Sequence, residues 1–351
     1  MIAILKREWK SYFQNITGWL FIAAVLALYG LYFLAYNLRA GYPYVSYTLS
    51  AISFIMLIAV PILTMRSMAE ERHSRTDQLV LTAPVSLGKM IFGKFLAMVG
   101  VFTVAVAVIA VTPLVLAAFG TVPMGENYVA VLGFWLYGCT CIAVGMLASA
   151  LTESQVIAAV VAFAFLFLGY MMNSITGLIG DHLITKVLGA YDLYTPLQSF
   201  MSGCLDLTGV VYFVSVTGLC LFLTCQCVQK RRWSMTTKKL TTGMFSVAMI
   251  VVGFAVAVAV NMVVKEMPSS WTAVDATSTK LYSLTDTTKD YVKNLSQDVT
   301  IYVLSSEKSA DSTLAETLQR YEDLSKHLNV VYKDPAKSPN FYQQYTDSAP
   351  T

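Results

Sequence analysis

Seven stretches of this chain contain no Asp, Glu, Lys or Arg: 11–38, 40–65, 95–125, 127–152, 154–180, 207–229 and 240–264. Each exceeds the roughly 18–20 apolar residues that cross a hydrocarbon core of about 30 Å. They predict helices near 17–36, 47–65, 95–119, 128–151, 156–177, 208–228 and 243–264. Ahead of them, Ile2, Leu5, Trp9, Tyr12, Phe13 and Ile16 recur at helical spacing, with Lys6, Arg7 and Lys10 on the polar side. That pattern predicts an amphipathic helix over 1–16 lying in the membrane interface, its bases near anionic headgroups. After residue 264 the period changes. Val299, Ile301 and Val303 alternate with polar positions, and "LNVVY" (328–332) reads as a second strand. Between them Leu314, Leu318, Tyr321 and Leu324 share one helical face. Ser283-x-x-Asp286 and Thr313-x-x-Glu316 read as capping boxes.

Two apolar stretches are interrupted. Between the second and third spans, Glu70 to Leu81 predicts a helix with an acidic first turn, favoured by the helix dipole, and with Leu79 and Leu81 as apolar anchors. Ala83-Pro84 ends it, because a residue before proline avoids the helical region. A second amphipathic stretch starts near Ser86, with Lys89 and Lys94 at the membrane surface. The segment 178–206 is apolar but broken by Gly, Pro and Asp. Short helices dipping into the outer leaflet fit it, since broken backbone at membrane depth must be buried in protein.

Composition separates a membrane region from a polar one. The 351 residues are 56% hydrophobic and 13% charged, against about 25% charged in soluble domains. Residues 265–351 carry nine Lys/Arg and twelve Asp/Glu, and the first 264 carry fifteen and nine. Thirteen basic residues precede or follow the spans on one side: Lys6, Arg7, Lys10, Arg66, Arg72, Arg75, Lys89, Lys94, Lys230, Arg231, Arg232, Lys238 and Lys239. Only Arg39 and Lys186 fall on the other. The positive-inside rule then places the N-terminus in the cytoplasm and the segment after the seventh span outside. The expected architecture is an α-helical polytopic membrane protein, a six-span unit (17–230) plus a seventh span (243–264). A basic linker (231–242) joins the two, and a small extracytoplasmic α/β domain occupies 265–351. No third or fourth strand follows "LNVVY", so that domain is expected to be the start of a larger fold. No cleavable signal is expected, because the first apolar run has spanning length.

Catalytic and cofactor signatures are lacking. There is no phosphate loop, no H-E-x-x-H, no G-x-S-x-G and no metal-spaced Cys/His set. The three histidines, His73, His182 and His327, fall in different segments. Cys139, Cys141, Cys220, Cys225 and Cys227 lie in or at the ends of spans and Cys204 in an outer loop, an arrangement of apolar packing rather than a disulfide framework. A net charge of +3 gives no case for nucleic acid. The spans hold too few ionisable groups for a proton relay, so energy for any transport arrives from elsewhere.

The stretch "MAEERHSRTDQLVLTAPVSLGKMIFGKFLA" (68–97) resembles the inner loop of type-2 ABC exporter permeases. The resemblance rests on an acidic pair, Glu70-Glu71, then Thr76, Leu79 and Leu81, Ala83-Pro84, and Gly93-Lys94 entering the third helix. "ILKREWKSYF" ahead of a six-span unit and the broken segment before the sixth helix extend it over about residues 1–230. The seventh span and 265–351 resemble the start of the auxiliary protein of gliding-motility-type ABC systems, on "KLYSLTDTTKDYVKNLSQDVTIYVLSS", Leu314 to Tyr321 and Asp334-Pro335. The resemblance implies a bacterial cytoplasmic membrane permease that is not itself an enzyme. It binds no cofactor, and Mg-ATP is hydrolysed by separate ABC ATPase subunits. Two copies, or one copy and a homologue, would form the pathway. The inner loop (66–94) would be a coupling helix, with Glu70, Glu71, Arg72, Thr76, Leu79, Leu81 and Pro84 facing the ATPase, and with Lys6, Arg7, Trp9, Lys10 and Lys94 at the bilayer surface. The alternative is a membrane-anchored component that passes ATP-driven movement to an external domain without transport.

Overall fold

The computed structural model describes residues 2–76, 86–179, 189–233, 239–265, 267, 273–276, 286–295, 297–305, 312–334 and 341. The expectations for Leu79, Leu81, Pro84, His182, Lys186 and the Ser283 cap lie outside them. Among the described residues six helical segments are long and apolar enough to cross a membrane: Ile16–Arg39, Ser46–His73, Leu87–Ala117, Met124–Leu151, Gln155–Ile179 and Leu207–Gln229. We label the helices α1 (Ile2–Gln14), α2 (Ile16–Phe33), α3 (Ser46–Thr64), α4 (Arg66–His73), α5 (Leu87–Ile109), α6 (Thr112–Ala117), α7 (Met124–Leu151), α8 (Gln155–Ile179), α9 (Tyr194–Met201), α10 (Leu207–Trp233) and α11 (Lys239–Lys265). The part of α11 whose side chains are described is apolar over Ala248–Val264.

Helix α7 is the centre of the bundle. Its apolar window is 78% buried inside the molecule, against 28% for α2 and α8 and 22% for α10. The cause is written in three of its residues. A Cβ at Gly133 would collide with Phe200, at Gly138 with the Phe102 ring and at Gly145 with Thr64. Apolar side chains gain little by leaving lipid for protein, so helices in a bilayer associate where small residues let them approach closely. Here α9, α5 and α3 each fill one of the three gaps. The remaining surfaces of α2, α8 and α10 expose apolar side chains such as Trp19, Leu31, Val160, Phe165 and Val214, as a lipid-facing surface requires.

Two buried asparagines organise the end of the bundle that holds the 40–45 loop. Asn37 donates to the carbonyls of Tyr42 and Tyr44 and accepts from the Thr48 hydroxyl. Asn127 accepts from the Val45 N–H at 2.7 Å and donates to the Pro43 carbonyl at 3.0 Å. Loop backbone buried at this depth needs such partners. The broken segment expected near 178–206 contains α9, whose start is capped by Asp192 accepting from the N–H groups of Tyr194 and Thr195. Its Leu197 and Phe200 are fully buried.

Strand β1 (Cys204–Asp206) follows α9 and pairs antiparallel with β2 (Ala273–Asp275), beyond α11. Farther on, α12 (Asp286–Lys293) leads to β3 (Val299–Val303), α13 (Ser312–Leu324) and β4 (Leu328–Tyr332), and β3 and β4 run parallel with Val299 opposite Leu328. The face expected to cover these strands is corrected in one position. Leu318 is buried, but Leu314, in the first turn of α13, is 47% exposed.

A Gly138→Ala substitution places a methyl group against Phe102 in a filled core, where overpacking costs about 1–3 kcal/mol. The thermal unfolding midpoint in detergent should fall by several degrees. Gly218→Ala, where nothing lies within 4 Å of the added carbon, should leave it unchanged or raised.

Candidate functional site

At the end of the bundle opposite the 40–45 loop, the second apolar segment breaks its helical hydrogen bonding after Met65, whose own backbone stays helical, and continues as α4. The break frees backbone groups that a continuous helix would satisfy. Ser149, fully buried on α7, supplies the replacement. Its hydroxyl oxygen accepts from the N–H groups of Met68 (3.1 Å) and Ala69 (3.0 Å), and the hydroxyl donates to the Met65 carbonyl at 2.9 Å. The Lys94 ammonium then donates to the Ser67 carbonyl at 2.9 Å. The elbow between α3 and α4 is therefore gripped by α7 on one side and α5 on the other.

Lys94 carries the electrostatics of the site. Its side chain is 3% exposed, and its ammonium lies 2.6 Å from a Glu71 carboxylate oxygen and 3.8 Å from Glu8. Arg7 reaches the same two acids, at 2.6 Å to Glu8 and 3.5 Å to Glu71. The result is a neutral quartet of two cations and two anions drawn from α1, α4 and α5. A buried ammonium persists only when paired and hydrogen-bonded, and Lys94 has both kinds of partner. The hydrogen bond to Glu8 also pushes the Arg7 guanidinium above its ordinary pKa.

Two further contacts extend the grip. Arg66 makes a bidentate pair with Glu70 (2.7 and 3.1 Å) and donates to the Thr17 hydroxyl at the start of α2 (2.8 Å). Arg72 reaches Glu153 at 2.8 Å and the Leu151 carbonyl at 3.3 Å, in the turn between α7 and α8. Both of these pairs are partly exposed and each contributes only a fraction of a kcal/mol to about 1 kcal/mol. Their value is positional.

Several expectations change here. The helix read over 70–81 instead starts at Arg66 and ends at His73, because the Ser149 hydroxyl lets the chain re-enter helix directly after Met65. Glu70 and Glu71 thus lie beyond its first turn, and Arg72 and His73 occupy its last turn, where cations complement the dipole. Arg75 adopts φ 58°, a left-handed position that terminates helices. The Thr76 hydroxyl folds back to Ser74 (3.0 Å) and the Glu71 carbonyl (3.3 Å). Lys94, expected at the bilayer surface, is buried, since α1 covers it and supplies Glu8. Lys6 and Lys10 are exposed, and Arg7 is 58% exposed. Trp9 lays its ring on Gly100 of α5, where a Cβ would overlap it, and meets Phe13 at a tilt (5.1 Å), which in turn meets Trp19 edge-to-face (5.3 Å). The sequence pattern did not single out Glu8, Thr17, Ser149 or Glu153. Glu153 had one visible signal, as the lone charge separating two long uncharged runs.

Removing one member of a buried pair costs about 3–5 kcal/mol, whereas replacing both with apolar groups is often near neutral. Glu71→Leu alone should therefore lower the unfolding midpoint far more than Lys94→Met with Glu71→Leu together. A thermal double-mutant cycle in detergent measures the coupling; additive losses would mean that the pair does not interact.

Two family matches divide the chain. Residues 278–349, containing α12, β3, α13 and β4, match a Domain of unknown function (DUF7088). No curated protein matches the chain. Residues 39–228, from the end of the first apolar segment through α10, match the family described as ABC-2 family transporter protein. That match spans more than half of the chain and takes in five of the six apolar segments together with the Glu71–Lys94 elbow. The chain accordingly belongs to the ABC-2 transporter family, the membrane permease subunits of ATP-binding-cassette transporters.

Proposed function

We propose that the chain is the permease subunit of an ABC exporter, working as a dimer and driven by separate ATPase subunits that bind and hydrolyse Mg-ATP. The observation that carries this reading is the elbow. A soluble motor can move a membrane helix only through a rigid element that projects from the bilayer and is fixed to the spans. Helix α4 meets that need, held by Ser149, Lys94 and Arg66 against four other helices. In this reading the turn after His73, and the residues to Pro84, form the ATPase-facing surface. Glu70, Glu71 and Arg72 act differently from the expectation. They hold the elbow to the spans, so their contribution to coupling is stiffness rather than direct contact. Arg75, Thr76, Leu79, Leu81 and Pro84 are left for the partner.

In the same reading the N-terminus is cytoplasmic, α11 is a seventh span, and the α/β unit after it is extracytoplasmic. Its resemblance to the auxiliary protein of gliding-motility-type systems makes the chain a fusion of permease and auxiliary. The loop charges support this orientation, as does helix direction: β2 lies against β1, at the end of the bundle remote from the quartet. That pairing also favours the second reading, in which movement is passed to the external unit and nothing crosses. Substrate-dependent ATP hydrolysis in vesicles belongs to the first reading only.

Two measurements test the proposal. In this reading Leu81→Asp should abolish co-purification of the ATPase in detergent while changing the stability of the permease alone by no more than about 0.5 kcal/mol, the scale of substitutions outside a packed core. Full retention of the ATPase with unchanged stimulated hydrolysis would refute the coupling surface. For orientation, Gln297→Cys, at an exposed position, should react with a membrane-impermeant maleimide in intact cells while Arg75→Cys stays protected. The reverse pattern would invert the topology.

A further inference from the structure

The ABC-2 match ends at residue 228 and the second match begins at 278, so neither family accounts for β2. Yet β2 makes specific contacts. Cys204 stands opposite Asp275, Leu205 opposite Val274 and Asp206 opposite Ala273. The register is extended by the Ala276 N–H donating to the Gly203 carbonyl at 3.2 Å. Gly203 has φ 82°, the left-handed turn that swings the chain out of α9 and presents β1 edge-on. The carbonyl oxygen of Ala276 occupies the space that a Cβ on Gly125, at the start of α7, would fill. One four-residue segment thus touches both the central helix and the connection from α9 to α10.

The helix that delivers β2 is itself fixed. Phe222 of α10 fills the gap at Gly253 of α11, and Asn261 donates to the Ser215 hydroxyl at 2.7 Å. A polar contact of this kind inside an apolar bundle defines how two helices face each other. β1 runs directly into α10, and α9 ahead of it is wedged by Phe200 between Gly133 of α7 and Gly209 of α10. Any movement of the outer end of α10 away from α7 must therefore break the β1–β2 pairing or shear Ala276 off Gly125.

We infer that residues 273–276 are a strap that locks the outer end of α10 to α7, and that its release gates this end of the permease. Without the strap, β1 would be an unpaired edge with free N–H and C=O groups, so the pairing also orders the α9–β1 connection. The gating part rests on the permease reading above; the strap itself does not.

The register supplies the test. In an antiparallel ladder hydrogen-bonded and non-hydrogen-bonded pairs alternate. Residues 203 and 276 form a hydrogen-bonded pair, so 204 and 275 form a non-hydrogen-bonded one. Such pairs lie about 4.5 Å apart between Cα atoms, within disulfide reach. Under mild copper-phenanthroline oxidation of the full chain in membranes, Asp275→Cys should bond to the native Cys204, identified by peptide mass and abolished by Cys204→Ala. Ala273→Cys, paired with Asp206, should not bond to Cys204. An Asp275→Cys thiol that stays reduced, or equal crosslinking of Ala273→Cys, would overturn the strap. As a second handle, Val274→Pro removes a ladder N–H and should speed labelling of the buried Cys204 by an impermeant maleimide severalfold, with Val274→Ala near the parent. Unchanged labelling of a folded Val274→Pro chain would likewise count against it. For the gate, ATP hydrolysis by the crosslinked permease–ATPase complex in vesicles should drop severalfold and recover with dithiothreitol. Normal hydrolysis with the crosslink formed would overturn gating and leave the permease reading intact. Absence of any permease-dependent hydrolysis in the reduced sample would instead overturn the permease reading, and the gate with it, while the crosslink result still stands.

Discussion

An ammonium group enclosed by apolar helices has to be neutralised where it sits, and most of the architecture at one end of the bundle follows from that need at Lys94. Solvating the charge by protein requires an anion in contact and a further acceptor. The anion is Glu71, at 2.6 Å, and the acceptor is the Ser67 carbonyl, at 2.9 Å. Both lie on α4, so α4 must run alongside α5 rather than out into solvent. The second apolar segment reaches that position with its hydrogen-bond ladder interrupted after Met65, and Ser149 takes up the backbone groups this frees. Arg7 and Glu8 complete the neutralisation and bring α1 against the same surface. A chain of requirements that starts with one lysine thus fixes four helices.

The opposite end solves its problem with amides. Asn37 and Asn127 hold the 40–45 loop through neutral hydrogen bonds. The contrast suits a device worked from one side. Ion pairs transmit a displacement between elements whose charges must stay together, since separating them in an apolar surround is costly. Amide contacts to backbone fix a loop locally. The stiff connections therefore cluster where α4 meets α5, α7 and α1, and the opposite end depends on short-range contacts plus one strand pairing.

The sequence makes the spans legible because their signal is local. Uncharged runs of spanning length mark four of the six apolar segments to within about four residues, but they miss the charged extensions to His73 and from Leu87, and the alternation at 299–303 marks β3. What it hides is long-range. Glu71 and Lys94 lie in the same motif, but Glu8, 86 residues before Lys94, carries no periodic signal that links them. The break after Met65 is invisible for a related reason. An apolar run gives no mark of where it breaks, and Pro61, the one helix-breaking residue nearby, sits inside α3 without ending it. β1 and β2 span three residues each, too short for alternation to register, so Cys204–Asp206 read only as loop. Leu314 shows the reverse failure: its helical phase matches that of the buried Leu318, yet it is 47% exposed, because periodicity marks a face and not how far along the helix that face is covered.

The family boundaries and the physical boundaries of this chain do not coincide, and the difference bears on how it works. The ABC-2 match starts at residue 39 and leaves out α1 and α2, yet Glu8 helps to neutralise a lysine inside the matched region, Arg7 pairs with Glu71 there, and Thr17 binds Arg66. It ends at 228, yet Asn261 and Gly253 of α11 seat that helix on α10. The unmatched segments are therefore mechanical parts of the matched one. α1 stiffens the elbow by adding Glu8 and Arg7 to its ion pairs, and α11 seats on α10 ahead of β2, which pairs with β1. Packed contacts run from α4 through α7 to α9, the helix that leads into β1: Ser149 of α7 bonds the α4 backbone, and Phe200 of α9 fills the gap at Gly133 of α7.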